Sequence, residues 1–190
     1  MKRLAVFCGS SYGASPAYKD GATQLGKELA RRGITLVYGG ASVGIMGTVA
    51  DTVLGEGGQV IGVIPKLLEE REISHRHLTE LIVVNTMHER KAQMAELADG
   101  FLALPGGPGT LEEFFEVFTW AQLGIHRKPC GLLNINGYYD PLLALFDHMT
   151  AQQFLHEKYR TMAVVDSDPG RLIEKFCAYE PPAIKTFVQK

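Results

Sequence analysis

Apolar residues fall into short, separate runs along the chain: Leu4–Phe7, Thr35–Tyr38, Val60–Ile64, Leu81–Val84, Phe101–Leu104, Gly131–Leu133 and Ala163–Val165. Amphipathic segments of helical length separate most of them. A short apolar run without polar alternation fits a strand buried on both faces, and strands spaced by helices join through right-handed parallel crossovers. The pattern therefore predicts an α/β fold: a single doubly wound parallel sheet flanked by helices, a three-layer sandwich, with residues 1–190 as one domain. Boundary signals agree. Ser15 and Pro16 read as N-cap and N1 of a helix whose C′ residue is Gly33, and Asp140 with Pro141 repeats the start signal. Residues 65–78, PKLLEEREISHRHL, break the rhythm with charge and two histidines, which predicts a long connection across the carboxyl ends of the strands.

In an open parallel sheet a ligand lies outside those carboxyl ends, where the strand order reverses. Three glycine loops follow predicted strands and are expected to converge there. They are CGSSYG at 8–13, with Gly9 and Ser10; GGASVGIMG at 39–47, with Gly40; and PGGPGT at 105–110. In the last, Gly106, Gly107 and Gly109 carry no Cβ, so their N–H groups can approach an anion at the start of the following helix, and Thr110 adds a hydroxyl. A phosphate site is predicted. The chain has no GxxxxGK[ST] and no GxGxxG after its first strand, which excludes a P-loop NTPase and disfavours NAD binding.

Charge and cysteine content narrow the partners. Lys and Arg number 19 against 21 Asp and Glu, a net charge of −2, so no basic footprint points to nucleic acid. Cys8, Cys130 and Cys177 match neither a zinc pattern nor a disulfide framework, and a reducing cytoplasm is expected. The start, MKRLAVFCGSS, reads as a first core strand rather than a secretion signal, and no apolar stretch is long enough for a membrane span.

Two helix starts carry the candidate chemistry. Thr110 and Glu113 form a T-x-x-E pattern that fits a capping box, yet the glycine loop beside it makes Glu113 a candidate acid next to a phosphate. Glu112 and Glu116 fall on other, solvated faces. In TMHERKAQMAEL, Thr86 and Glu89 form a second box. Arg90 shares an apolar stripe with Met87, Met94 and Leu97, where a guanidinium needs an anion or carboxylate partner. Lys91 is placed to assist with phosphate, His88 reads as an exposed helix-start residue, and His75 and His77 lack metal-ligand spacing, so no metal is expected. GSSYG matches a nucleophile elbow only with Ser11 at its centre, and no Asp and His follow in a supporting order.

With CGSS, GG-x-SVG-x-MG, MHERK and PGGPGTLEE in this order, and WAQLGIHRKPCGLLNINGYYDPLL at 120–143, the chain resembles the Lonely Guy family of cytokinin riboside 5′-monophosphate phosphoribohydrolases nearly end to end. The resemblance implies a Rossmann-like fold, a homodimer with sites near the interface, no cofactor, and cleavage of the N-glycosidic bond of an adenine-type nucleoside 5′-monophosphate. It implies Arg90 and Glu113 as the catalytic pair and Lys91, Gly107, Pro108, Gly109 and Thr110 as nucleotide-binding positions, with Glu72 and Thr119 as further contacts. Thr86 stands where plant relatives usually have Asp, Ala41 where many have Gly, and Pro108 at a variable position often occupied by Tyr. Two alternatives stay open. A molybdenum cofactor carrier of similar fold holds a phosphorylated ligand without cleaving it, and a lysine decarboxylase label attached to relatives with PGG-x-GT would need a pyridoxal phosphate lysine, for which no lysine has the setting.

Overall fold

The computed structural model describes residues 1–69 and 74–183. Its elements, in chain order, are β1 (Arg3–Phe7), α1 (Pro16–Arg31), β2 (Thr35–Tyr38), α2 (Gly44–Gly55), β3 (Val60–Pro65), α3 (Lys66–Glu69), β4 (Glu80–Val84) and α4 (Met87–Leu97). They continue with β5 (Gly100–Ala103), α5 (Pro108–Gln122), β6 (Cys130–Leu133), a 3-10 turn at Ile135–Gly137, α6 (Asp140–Ala151), α7 (Glu157–Arg160), β7 (Ala163–Asp166) and α8 (Pro169–Cys177). Each predicted apolar run lies in or overlaps a strand. The strands form one sheet in the order β4-β3-β2-β1-β5-β6-β7 with every pairing parallel, the Rossmann-like arrangement expected.

Burial explains the apolar runs. β1 to β3, β5 and β6 are almost wholly buried, because α1, α2 and α8 pack one face of the sheet and α4, α5, α6 and α7 the other. β4 departs from the expectation of burial on both faces. It is an edge strand paired only with β3, and Val83 is 45% exposed. Ser15 caps α1 by accepting from the Ala17 N–H at 3.3 Å, and Gly33 follows the helix with φ of 64°, as its sequence position predicts. The later start signal is offset by one residue, since Tyr139 is the N-cap of α6 and Asp140 already its first residue. Among the described residues no helix is long and apolar enough to cross a membrane.

The chain runs outward from β1 in one direction through β2, β3 and β4, and then returns to β1's other side with β5. The reversal point is thus the β1/β5 junction, and the loops leaving β1, β2 and β5 end at it.

Candidate active site

The three glycine loops meet as predicted, and missing Cβ atoms are what let them. The Gly9 N–H donates to Pro105 O at 3.3 Å, and Gly9 O accepts from the Met46 N–H at 3.3 Å, so the β1 loop is tied to both others. A Cβ on Gly106 would lie 2.1 Å from Thr110 Oγ1 and 2.8 Å from Gly9 N. One on Gly44, whose φ is 58°, would lie 2.3 Å from the Ser10 carbonyl carbon.

The start of α5 corrects the capping-box reading of Thr110 and Glu113. Gly107, not Thr110, is the N-cap, and its carbonyl accepts from the Thr110 and Leu111 N–H groups at 3.1 and 3.3 Å. Proline at N1 fixes this start, because Pro108 has the helical φ and needs no acceptor. Glu113 therefore sits a turn further in, one helical step from Thr110 on the same face. That face is held by packing: Phe114, Val117 and Phe118 are buried against the sheet, with Phe114 stacked on Phe118 at 5.7 Å. On α4 the cap forms where the pattern predicts, Thr86 Oγ1 accepting from the Glu89 N–H at 3.1 Å, but Glu89 Oε2 reaches one residue past the cap and accepts from the Asn85 N–H at 2.8 Å.

Arg90 finds the carboxylate its sequence position called for. Its Nη2 lies 3.8 Å from Glu113 Oε1, with side-chain exposures of only 8% and 12%. At that separation the groups attract without a hydrogen bond, so both keep hydrogen-bonding capacity in a nearly dry setting. Arg90 Nε is buried without a partner among the described residues. Gly39 makes room for the guanidinium, since a Cβ there would lie 1.9 Å from Nη2. Burial pushes the Glu113 carboxyl up to about 7; Arg90 opposes the rise, Glu112 adds to it, Lys91 opposes it and Glu116 adds to it. The neighbouring Cys8 thiol is raised by burial first and by Glu113 second, which favours its protonated form.

These groups line a cavity of about 360 Å³ bounded by Cys8, Gly9, Ser10, Met46, Leu68, Met87, Arg90, Gly107, Pro108, Gly109, Thr110 and Glu113. Of the sequence candidates, Gly9, Ser10, Arg90, Gly107, Pro108, Gly109, Thr110 and Glu113 are thus brought together. Gly106 borders a second, aromatic cleft of about 220 Å³ that shares Gly107 with the first. Gly40 lies outside the lining; its φ is 83° and its carbonyl accepts from the His75 N–H at 3.0 Å, which with the Ala41–Ser74 bridge anchors the returning end of the connection after β3. Leu68, from the start of that connection, reaches the cavity. Glu72 lies outside the described residues. Thr119 is exposed, about 13 Å along α5 from Thr110, and does not line the cavity.

Lys91 is the clearest departure. It is buried, but its Nζ reaches Glu112 Oε1 at 2.6 Å and Glu116 Oε1 at 3.1 Å rather than the glycine loop. The two glutamates expected to be solvated are its partners, and the three side chains clamp α4 to α5. The sequence also gave no warning that His75 Nε2 lies 2.7 Å from Asp51 Oδ1. Leu68, Met46, Gly39 and Tyr138 were missed as well, although Gly39 and Met46 fall inside the recognised second loop. Among the described residues no cluster of three or more His, Cys, Asp or Glu side chains could hold a metal.

Comparison with known proteins places this geometry. A family model described as "Possible lysine decarboxylase" matches residues 46–176. A probable cytokinin riboside 5′-monophosphate phosphoribohydrolase from Oryza sativa subsp. japonica is 53% identical, covering 95% of this chain and 74% of that protein. A cytokinin riboside 5′-monophosphate phosphoribohydrolase from Arabidopsis thaliana is 52% identical, covering 95% and 83%. Among solved structures, the molybdenum cofactor binding protein of Rippkaea orientalis aligns with a TM-score of 0.71 at 22% identity, covering 93% of this chain and 96% of that one. At that identity the likeness is one of fold. A decarboxylase working through a pyridoxal phosphate Schiff base needs a lysine amine in the cleft, and the residues do not fit it: no lysine lines the cavity among the described residues, and Lys91 is held by two carboxylates. By the model match over most of its length and by the plant relatives, the chain belongs to the Lonely Guy family of cytokinin riboside 5′-monophosphate phosphoribohydrolases.

Proposed function

We propose that this protein hydrolyses the N-glycosidic bond of adenine-type nucleoside 5′-monophosphates, N6-prenylated AMP or AMP itself, to the free base and ribose 5-phosphate. The observation that carries the reading is the buried Arg90–Glu113 pair facing the open start of α5 across one cavity. A 5′-phosphate bound at the Gly107, Gly109 and Thr110 end of α5 meets backbone donors and the positive end of the helix dipole. The ribose then lies toward Glu113, one turn further along the helix.

Cleavage breaks the C1′–N bond, and positive charge develops on the ribose ring as the base departs. Glu113 in its ionised form stabilises that charge and accepts a proton from the attacking water, whose oxygen bonds to C1′; the departing nitrogen keeps the electron pair of the broken bond and takes up a proton from solvent, and Glu113 then releases its own to solvent. An acid raised to about 7 suits this role, because a base whose pKa lies near the working pH combines availability with proton affinity. Arg90 favours the ionised carboxylate, and its Nε, without a partner among the described residues, is placed to meet an oxygen of the substrate. Nothing in this scheme draws on a metal or cofactor.

Trp120, beside the exposed Thr119 on α5, fits a homodimer in which α5 borders the partner's cleft; a monomer in analytical ultracentrifugation contradicts it. The reaction is tested by incubating the protein with AMP and, separately, isopentenyl-AMP, and quantifying base and ribose 5-phosphate. Release from either supports the hydrolase, and the ratio of rates distinguishes general nucleotide salvage from cytokinin release. Intact nucleotides that nonetheless bind tightly would favour a carrier.

A further inference from the structure

Tyr138 stands at the end of the 3-10 turn after β6, in a segment whose backbone is unusual. Asn136 and Gly137 both have positive φ, 53° and 68°. Asn134 secures the turn, its Oδ1 accepting from the Tyr139 N–H at 2.7 Å and its Nδ2 donating to Asp140 Oδ1 at 2.7 Å. The result is that two consecutive tyrosines reach back to the strand–helix loop that forms the phosphate cradle. Tyr139 donates to Leu104 O at 2.6 Å, and Tyr138 donates to Gly106 O at 2.5 Å. The Tyr138 ring also meets Tyr18 edge-on at 5.6 Å, so its approach is fixed from a second side.

A trans peptide holds its C=O and N–H antiparallel. Fixing the Gly106 carbonyl therefore fixes the Gly107 N–H in the opposite direction. Tyr138 borders the aromatic cleft and not the catalytic cavity, whereas Gly107 borders both, so the direction away from Tyr138 is the catalytic side. A peptide between two glycines is also the one most easily turned over. Its reversal carries Gly107 from φ of −84° to positive φ, which glycine tolerates.

We infer that Tyr138 is a positioning residue of the phosphate cradle: its hydroxyl on Gly106 O locks the Gly106–Gly107 peptide with its N–H turned toward the ligand. The inference rests on the proposed binding of a 5′-phosphate at this loop. Neither Arg90 nor Glu113 lines the aromatic cleft that Tyr138 borders. The residue acts through one amide, on affinity for the phosphate and not on bond cleavage.

The test is isothermal titration of ribose 5-phosphate and of ribose into wild type and Tyr138→Phe, with thermal melts alongside. The substitution removes only the hydroxyl of a side chain that is 38% exposed. The expected result is an affinity for ribose 5-phosphate lowered about three- to tenfold, the range of one net hydrogen bond, with KM for the nucleotide raised to match and kcat held. Equal affinities in wild type and variant overturn the inference and leave the proposed reaction standing. A wild type that binds ribose 5-phosphate no better than ribose overturns both. A second measurement isolates the mechanism. Gly107→Ala has open space for its Cβ and resists positive φ, so Tyr138→Phe costs less in that background. The same cost in both backgrounds refutes the locked peptide.

Discussion

Replacing Glu113 with Gln should abolish activity while making the fold more stable, and the gain should depend on pH in a way only this site produces. Glu113 is 12% exposed, and burial is the largest cause of its rise from the ordinary 4.5 to about 7. A carboxyl raised in the folded state binds its proton more tightly there than in the unfolded chain. Stability is therefore full below about pH 4.5, falls as pH rises toward 7, and levels off above it. With about 1.4 kcal/mol per pKa unit, the cost at pH 8 is about 3 kcal/mol. Gln keeps the shape and cannot ionise, so Glu113→Gln should match wild type at pH 4.5 and exceed it by about 3 kcal/mol at pH 8. For a chain of this length that is a rise of several degrees in melting temperature. Urea denaturation of both proteins at pH 4.5, 6 and 8 reads the difference directly. A difference independent of pH, or a variant less stable at pH 8, would show that Arg90 compensates the buried charge and that Glu113 is not held near neutrality.

The remaining predictions concern the groups around that acid. In wild type, kcat/KM should fall below about pH 7 as Glu113 takes up its proton, and Arg90→Met should move this acid limb to higher pH while lowering kcat about 100-fold, because Arg90 favours the ionised form; an unmoved limb in a folded variant refutes the pairing. Gly39→Ala should cost about tenfold or more in kcat with little change in melting temperature, since the new Cβ meets the flexible end of Arg90 and not backbone; activity at the wild-type level would mean the guanidinium has another productive position. Lys91→Met should also raise the acid limb, by removing the cation that offsets Glu112 and Glu116 beside Glu113, and should leave discrimination between ribose 5-phosphate and ribose intact. Loss of that discrimination would return Lys91 to the phosphate.

The sheet was legible because its cause is local. Seven apolar runs of strand length, divided by helices, admit few arrangements, and only the two edge strands, β4 and the half-buried β7, escaped the expected double burial. The glycine loops were legible for a similar reason: a position that admits no Cβ must be Gly whatever lies opposite, as Gly106 against Thr110 and Gly44 against Ser10 demonstrate. Arg90 could be read because a cation on an apolar stripe requires a partner somewhere.

What could not be read is which neighbour supplies each partner. Thr110 and Glu113 satisfy a capping pattern along the chain, yet Pro108 starts the helix three residues earlier and leaves Gly107 at the cap. Lys91 follows Arg90 by one residue, so the two side chains leave α4 about 100° apart; the crossing of α4 with α5 then decides that one faces the cavity and the other Glu112 and Glu116. The same crossing sets the acidity of Glu113, which depends on burial and on charges from both helices at once. A motif can name the acid, but only the packing of α4 on α5 brings it close to neutrality, and the chemistry proposed for this cleft depends on that value.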